Sequence, residues 1–159
     1  MVLSVRDIRK TYPGDSGPIE VLRGVSLDLG AGETLALTGE SGSGKSTLLH
    51  LVGGLDAAEA GQITLDGQEL TGLDDAGRAA LRRDKIGVVF QQFNLIPSLD
   101  VAANIAFQAR LGPRHDPAWC ATLAERMGLT SQLRKYPEEL SGGQQQRVAV
   151  ARTLAARPM

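Results

Sequence analysis

Apolar and polar residues alternate in VLSVRDI (residues 2–8) and in IEVLRGVSLDL (19–29), the period of two that a half-buried strand presents. A loop at 13–18 carrying Pro and Gly separates the two runs, and together they predict an antiparallel pair. The short apolar run TLALTG (34–39) then opens into a Gly/Ser stretch followed by the helical segment KSTLLHLVGGL, a strand, glycine loop and helix in succession. GQITLDGQEL (61–70) alternates at Ile63 and Leu65 and carries the hairpin signal Asp66-Gly67. DDAGRAALRRDK (74–85) predicts a helix, and IGVVF (86–90) predicts a further buried strand. Beyond residue 100 the period becomes 3.6: Val101, Ile105 and Ala109 fall on one face, as do Leu123, Ala124 and Met127. The final segment, GGQQQRVAVARTLAARPM, predicts a helix whose end is marked by Arg157 and Pro158.

Composition narrows the class. The chain has 159 residues, 42% hydrophobic and 22% charged, which is the balance of a soluble globular domain with one sizeable core. Seventeen Lys and Arg against 18 Asp and Glu leave a formal net charge of −1, so nothing global favours a nucleic-acid partner or an anionic membrane surface. Cys120 is the single cysteine, which excludes an internal disulfide and fits a reducing cytoplasm. The N-terminal residues MVLSVRDIRKTY lack the apolar core of a signal peptide, and no apolar run is long enough to span a bilayer. Any membrane contact is therefore expected to go through a partner protein.

The sharpest chemical signal is GESGSGKST at 39–47, which satisfies G-x-x-x-x-G-K-[ST] with Gly39, Gly44, Lys45 and Ser46. Glycines at Gly39, Gly42 and Gly44 allow backbone conformations closed to other residues, so that successive N–H groups, including those of Glu40, Ser41 and Ser43, can turn toward phosphate oxygens. The helix that follows adds the positive end of its dipole. Lys45 is expected to reach the β- and γ-phosphates and Ser46 to offer its hydroxyl to Mg²⁺, with Thr47 next along the same stretch. A chance glycine-rich turn is the bland alternative, but a strand before and a helix after are the context the motif demands.

A second anion-ready helix start is LSGGQ at 140–144. Ser141 alone is a good N-cap and nothing more. Gly142 and Gly143 exceed what a cap requires, because both remove side chains where a ligand could approach the backbone. His50 and His115 have no companions at metal-ligand spacing, Cys120 beside Trp119 reads as helix packing, and Arg82-Arg83 is too short a basic run for nucleic acid.

LSGGQ followed by QQRVAVARTLAARP resembles the signature motif of ATP-binding-cassette (ABC) ATPases and its helix, and it stands downstream of a P-loop as it does in that family. Tyr12, before the second strand, resembles the family's adenine-stacking position, and Gln91 in VVFQQF resembles its Q-loop glutamine. GESGSGKSTLLHLVGGLD, LRRDKIGVVFQQFNLIPSLDVAANIA and YPEELSGGQQQRVAVAR look similar to the branch serving lipoprotein release, macrolide efflux and the cell-division ATPase FtsE, and similar strings occur in importer ATPases.

The resemblance implies an α/β P-loop NTPase core of the ABC ATPase type, with an N-terminal antiparallel β subdomain and a helical subdomain at about 100–138. It implies ATP and Mg²⁺ as ligands, with Gln91 and Ser46 at the metal and Gln91 at the attacking water. Ser141, Gly142, Gly143 and Gln144 would touch the γ-phosphate of ATP held by a second copy in a head-to-tail dimer. The implied partner is an integral membrane permease, reached from the cytoplasmic face. An FtsE-like mechanical role and a non-hydrolytic nucleotide-binding fragment are the alternatives.

The family pattern continues with a hydrophobic strand ending in Asp-Glu, the Walker B aspartate and catalytic glutamate, and a later switch histidine. These are not found among the 159 residues; Asp74-Asp75 and Glu138-Glu139 are the acidic pairs, and neither ends an apolar strand. The domain is thus expected to be partial at its C-terminus, with apolar edges exposed beside the P-loop strand and negligible ATP hydrolysis by this stretch alone.

Overall fold

A computed structural model describes residues 1–159, which fall into two compact units, Met1–Ala79 and Ala80–Met159. In the first unit, β1 (Leu3–Gly14) and β2 (Gly17–Leu29) pair antiparallel, as their alternation predicts. The connection is tighter than the loop read at 13–18, because pairing continues to Gly14 opposite Gly17. β3 (Ala60–Leu65) lies on the other side of β1 and β4 (Gln68–Glu69) pairs with β3, giving the sheet order β2-β1-β3-β4. Asp66 (φ 48°) and Gly67 (φ 73°) both enter the left-handed region, the geometry of a two-residue hairpin turn matched to strand twist.

β1 is interrupted by a bulge between Val5 and Ile8, with Asp7 at φ 45°. Gly61 stands across from the bulge, where a side chain would strike the carbonyl oxygens of Arg6 and Asp7. Leu3, Val5, Ile8, Leu22, Ile63 and Leu65 are buried on the sheet, and Leu48 and Leu51 are buried on α1 (Lys45–Val52). Leu51, Ile63 and Leu70 line one small cavity, so α1 closes the apolar face of the sheet.

α2 (Asp75–Asp84) runs across the boundary at Ala79. In the second unit, α3 (Val101–Arg110), α4 (Pro117–Arg126) and α5 (Gly142–Ala155) pack around Val101, Ile105, Ala109, Leu123, Ala124, Leu129, Val148 and Ala151. The periodicities read at 101–109 and 123–127 therefore mark true core stripes. Asp100 caps α3 by accepting from Ala103 N–H at 2.7 Å, and Asp116 caps α4 ahead of Pro117. α5 stops at Ala155, slightly before the Arg157-Pro158 pair that predicts its end.

Two expected strands do not form. Residues 34–39 and 86–90 belong to no sheet, and Leu35 and Val89 are 48% and 45% exposed. Their apolar sequences suit buried strands, but a strand needs a neighbour to take up its N–H and C=O groups, and no strand of this chain lies alongside either segment.

Candidate functional site

Three glycines shape the loop that opens α1. Gly39, Gly42 and Gly44 have φ of 144°, 82° and 87°, values that L side chains rarely adopt. At Gly44 a Cβ would also stand 2.9 Å from Leu22 Cδ2 and 3.1 Å from the Val21 carbonyl oxygen, so the loop is seated directly on β2. Gly42 has open space on its Cβ side. Gly44 is the N-cap of α1 and supplies no side-chain hydrogen bond, so the dipole end of the helix is left without a protein cap.

Lys45 Nζ lies within this loop and donates to Gly39 O (2.9 Å), Glu40 O (2.6 Å) and Ser43 Oγ (3.1 Å). The ammonium is thus held over the mouth of the loop by weakly basic oxygens that phosphate oxygens can replace. Ser46 is exposed on the first turn of α1. No cluster of His, Cys, Asp or Glu could hold a metal ion, so a divalent cation here would take most of its ligands from phosphate and water, as Mg²⁺ prefers.

Tyr12 lies on β1, in the same unit as the loop, and its hydroxyl donates to Asp56 Oδ2 at 2.7 Å. That bond, more than burial, raises the phenol above its ordinary titration range. Tyr12 is thereby tied to the turn that follows α1.

Gln91 and the Ser141–Gln144 stretch belong to the second unit. Gln91 is exposed, as is Gln92, and the chain just beyond them turns through Phe93 (φ 59°) and Asn94 (φ 46°). Arg152 of α5 donates to both of those carbonyls, at 2.8 and 2.7 Å, and burial holds its guanidinium below the usual range. Asn104, fully buried, binds the N–H and C=O of Ile96 and the carbonyls of Leu99 and Asp100. The segment after Gln91 is therefore fixed by two side chains, not left as a free loop.

At α5 the Ser141 Oγ accepts from Gln144 N–H at 3.3 Å, and Gln144 Oε1 accepts from Ser141 N–H at 2.8 Å, a reciprocal capping box. Gly142 and Gly143 are exposed, with nothing within 4 Å of where a Cβ would stand. The N-cap reading of Ser141 is realised, and the two glycines leave a bare approach beside it.

The profile of the ABC transporter family matches residues 22–159. This chain belongs to that family. It is 45% identical to the methionine import ATP-binding protein MetN of Caulobacter vibrioides, over 99% of this chain and 47% of MetN. It is 43% identical to the macrolide export ATP-binding/permease protein MacB of Shigella flexneri, over 96% of this chain and 24% of MacB. The ABC chain thus spans about half the length of the first relative and about a quarter of the second. Among solved structures, a dimeric ATP-binding cassette in a post-hydrolysis state with ADP and Pi superposes with a TM-score of 0.91 at 37% identity, over 98% of this chain and 70% of that one. A dimeric bacterial ABC transporter cassette superposes with a TM-score of 0.89 over the same shares. The fold is that of an ABC ATPase cassette, and no helix is long and apolar enough to cross a membrane.

Asp56, Lys10 and Arg152 escape the sequence reading. Asp56 and Arg152 close two of the runs that resemble the family, but nothing in those runs gives either a role, and only pairing of distant segments brings Asp56 to Tyr12 or Arg152 to Asn94.

Proposed function

We propose that this chain is the ATP-binding part of an ABC transporter ATPase, coupling ATP binding and hydrolysis to a membrane permease. The observation that carries the reading is an uncapped helix N-terminus behind three left-handed glycines, with a lysine ammonium drawn into the loop. Gly39, Glu40, Ser41, Gly42, Ser43, Gly44, Lys45, Ser46 and Thr47 form the phosphate cradle. Lys45 neutralises the β- and γ-phosphates, Ser46 and Gln91 reach Mg²⁺, and the Tyr12 ring carries the adenine.

The whole chain forms one partial ATP-binding domain, with a helical insert at about 100–138. Ser141, Gly142, Gly143 and Gln144 serve the nucleotide of a second copy, so that ATP acts as the adhesive of a head-to-tail dimer. Closure and opening of that dimer move the permease, against which the ATPase sits at the cytoplasmic face of the membrane. The base for hydrolysis is not among these residues, so this stretch binds nucleotide but turns over very little.

Lys45→Ala tests the core of the proposal. Removing the one mobile positive charge aimed at the phosphates is expected to weaken ATP binding by about tenfold or more, measured with a fluorescent ATP analogue on folded protein. Unchanged affinity would remove the basis for the cradle.

A further inference from the structure

Asp56 follows α1 in the turn that leads to β3 and ends the family-like run GESGSGKSTLLHLVGGLD, which gives it no role. Both of its carboxylate oxygens are engaged. Oδ2 accepts from the Tyr12 hydroxyl at 2.7 Å; Oδ1 accepts from Lys10 Nζ at 3.0 Å and from Ala57 N–H at 2.7 Å. Lys10 Nζ also donates to Ala57 O at 2.8 Å. Lys10 and Tyr12 are two apart on β1 and so share a face of the strand, which is why both can converge on one carboxylate. The Lys10 side chain is only 12% exposed, so this ion pair is screened far less than a surface pair. Although burial acts against it, the bonds from Tyr12, Lys10 and Ala57 keep the Asp56 carboxyl below the usual carboxylate range, so it is ionised at neutral pH.

This arrangement does two things to Tyr12. It ties the phenol to the turn following α1, the helix whose N-terminus is the phosphate cradle, so the ring keeps a fixed station relative to that cradle. It also sets the Lys10 ammonium over one face of the ring, 5.1 Å from its centroid. We infer that Asp56 is a positioning residue for nucleotide recognition: with Lys10 it orients the Tyr12 ring so that a purine base stacks while the phosphates lie in the P-loop. The inference rests on the reading of Tyr12 as a base platform and adds the group that holds the platform in place.

Inorganic tripolyphosphate and ATP separate this role from a purely structural one, because the first reads the cradle alone and the second reads cradle and ring. By titration calorimetry, Asp56→Ala is expected to weaken ATP binding by about tenfold, the scale of a lost base–aromatic stack, while tripolyphosphate affinity stays within about twofold. Asp56→Asn, which keeps an acceptor for the phenol, should recover most of the loss. Tyr12→Ala should lose at least as much for ATP alone, and adding Asp56→Ala to it should change nothing further. Should Asp56→Ala not fold, Tyr12→Phe breaks the same link with the ring retained, and an ATP-specific loss of about threefold is expected. Equal losses for both ligands in Asp56→Ala would make the carboxylate a structural staple and overturn the inference. So would an ATP affinity indifferent to both Asp56→Ala and Tyr12→Phe while Tyr12→Ala is impaired. An ATP-to-tripolyphosphate ratio unmoved by Tyr12→Ala would instead overturn the base platform itself, and the role of Asp56 with it.

Discussion

Two helices of this chain, α1 and α5, begin behind Gly- and Ser-rich runs, and their N-termini are finished differently. At α1 the N-cap is Gly44 in the left-handed region, no side chain caps the helix, and the Lys45 ammonium sits in the loop. At α5 the N-cap is Ser141 in extended conformation, locked with Gln144 in a reciprocal box, with two open glycines behind it. A helix start without a side-chain cap leaves its donors for an anion, whereas a boxed one is stable without any ligand. An anion reaching α5 must share Ser141 with Gln144 or use the bare Gly142 and Gly143 backbone. Under the proposed function, the first would serve as a resident phosphate site and the second as a surface that meets phosphate held by a second copy.

The largest effect expected from this contrast is at Gly44. Gly44→Ala would place a Cβ against Leu22 and the Val21 carbonyl oxygen in a left-handed backbone, a strain of about 1–2 kcal/mol, and the loop must shift to relieve it. ATP affinity should fall by about tenfold or more, with a lower melting temperature, in calorimetry and thermal denaturation of the same sample. A variant that binds normally would mean the left-handed turn is not needed to aim the amides.

Ser141→Arg should separate the two sites. Monomer ATP affinity is expected to stay within about twofold, while ATP-dependent dimers, sized by light scattering in protein able to form them, disappear because the side chain fills the approach beside Gly142. Loss of monomer binding would place Ser141 at the chain's own nucleotide and erase the distinction drawn between the helices.

The smallest effect lies in stability. Ser141→Ala removes the cap and should cost about 1 kcal/mol, a few degrees in melting temperature. Gly142→Ala, inside the first turn with open space around it, should be neutral or stabilising by up to about 1 kcal/mol. If it nevertheless weakens ATP-dependent association, the glycine is kept for access and not for folding.

Much of this was legible in the chain. The P-loop is readable because its function depends on residue type at fixed local spacing: only glycine tolerates the conformations at 39, 42 and 44, and Lys45 follows directly. The helical stripes at Val101–Ala109 and Leu123–Ala124 are readable because a helix closes its hydrogen bonds within itself, leaving burial to set the pattern. Residues 34–39 and 86–90 carry equally clear apolar runs, yet neither becomes a strand, since a strand is completed only by a partner.

The sequence by itself determined the local features: a glycine loop with its lysine, a capped glycine-rich helix start, a hairpin at Asp66-Gly67, and the family to which the chain belongs. Each depends on neighbours in the chain, or on a run of them long enough to recognise. Tertiary structure decided which distant groups meet. It brought Asp56 and Lys10 to Tyr12, fastened Arg152 to the carbonyls beyond Gln91, and withheld a sheet from two apolar segments. These outcomes turn on hydrogen bonds and ion pairs between residues far apart along the chain, whose partners no local pattern of residues can name.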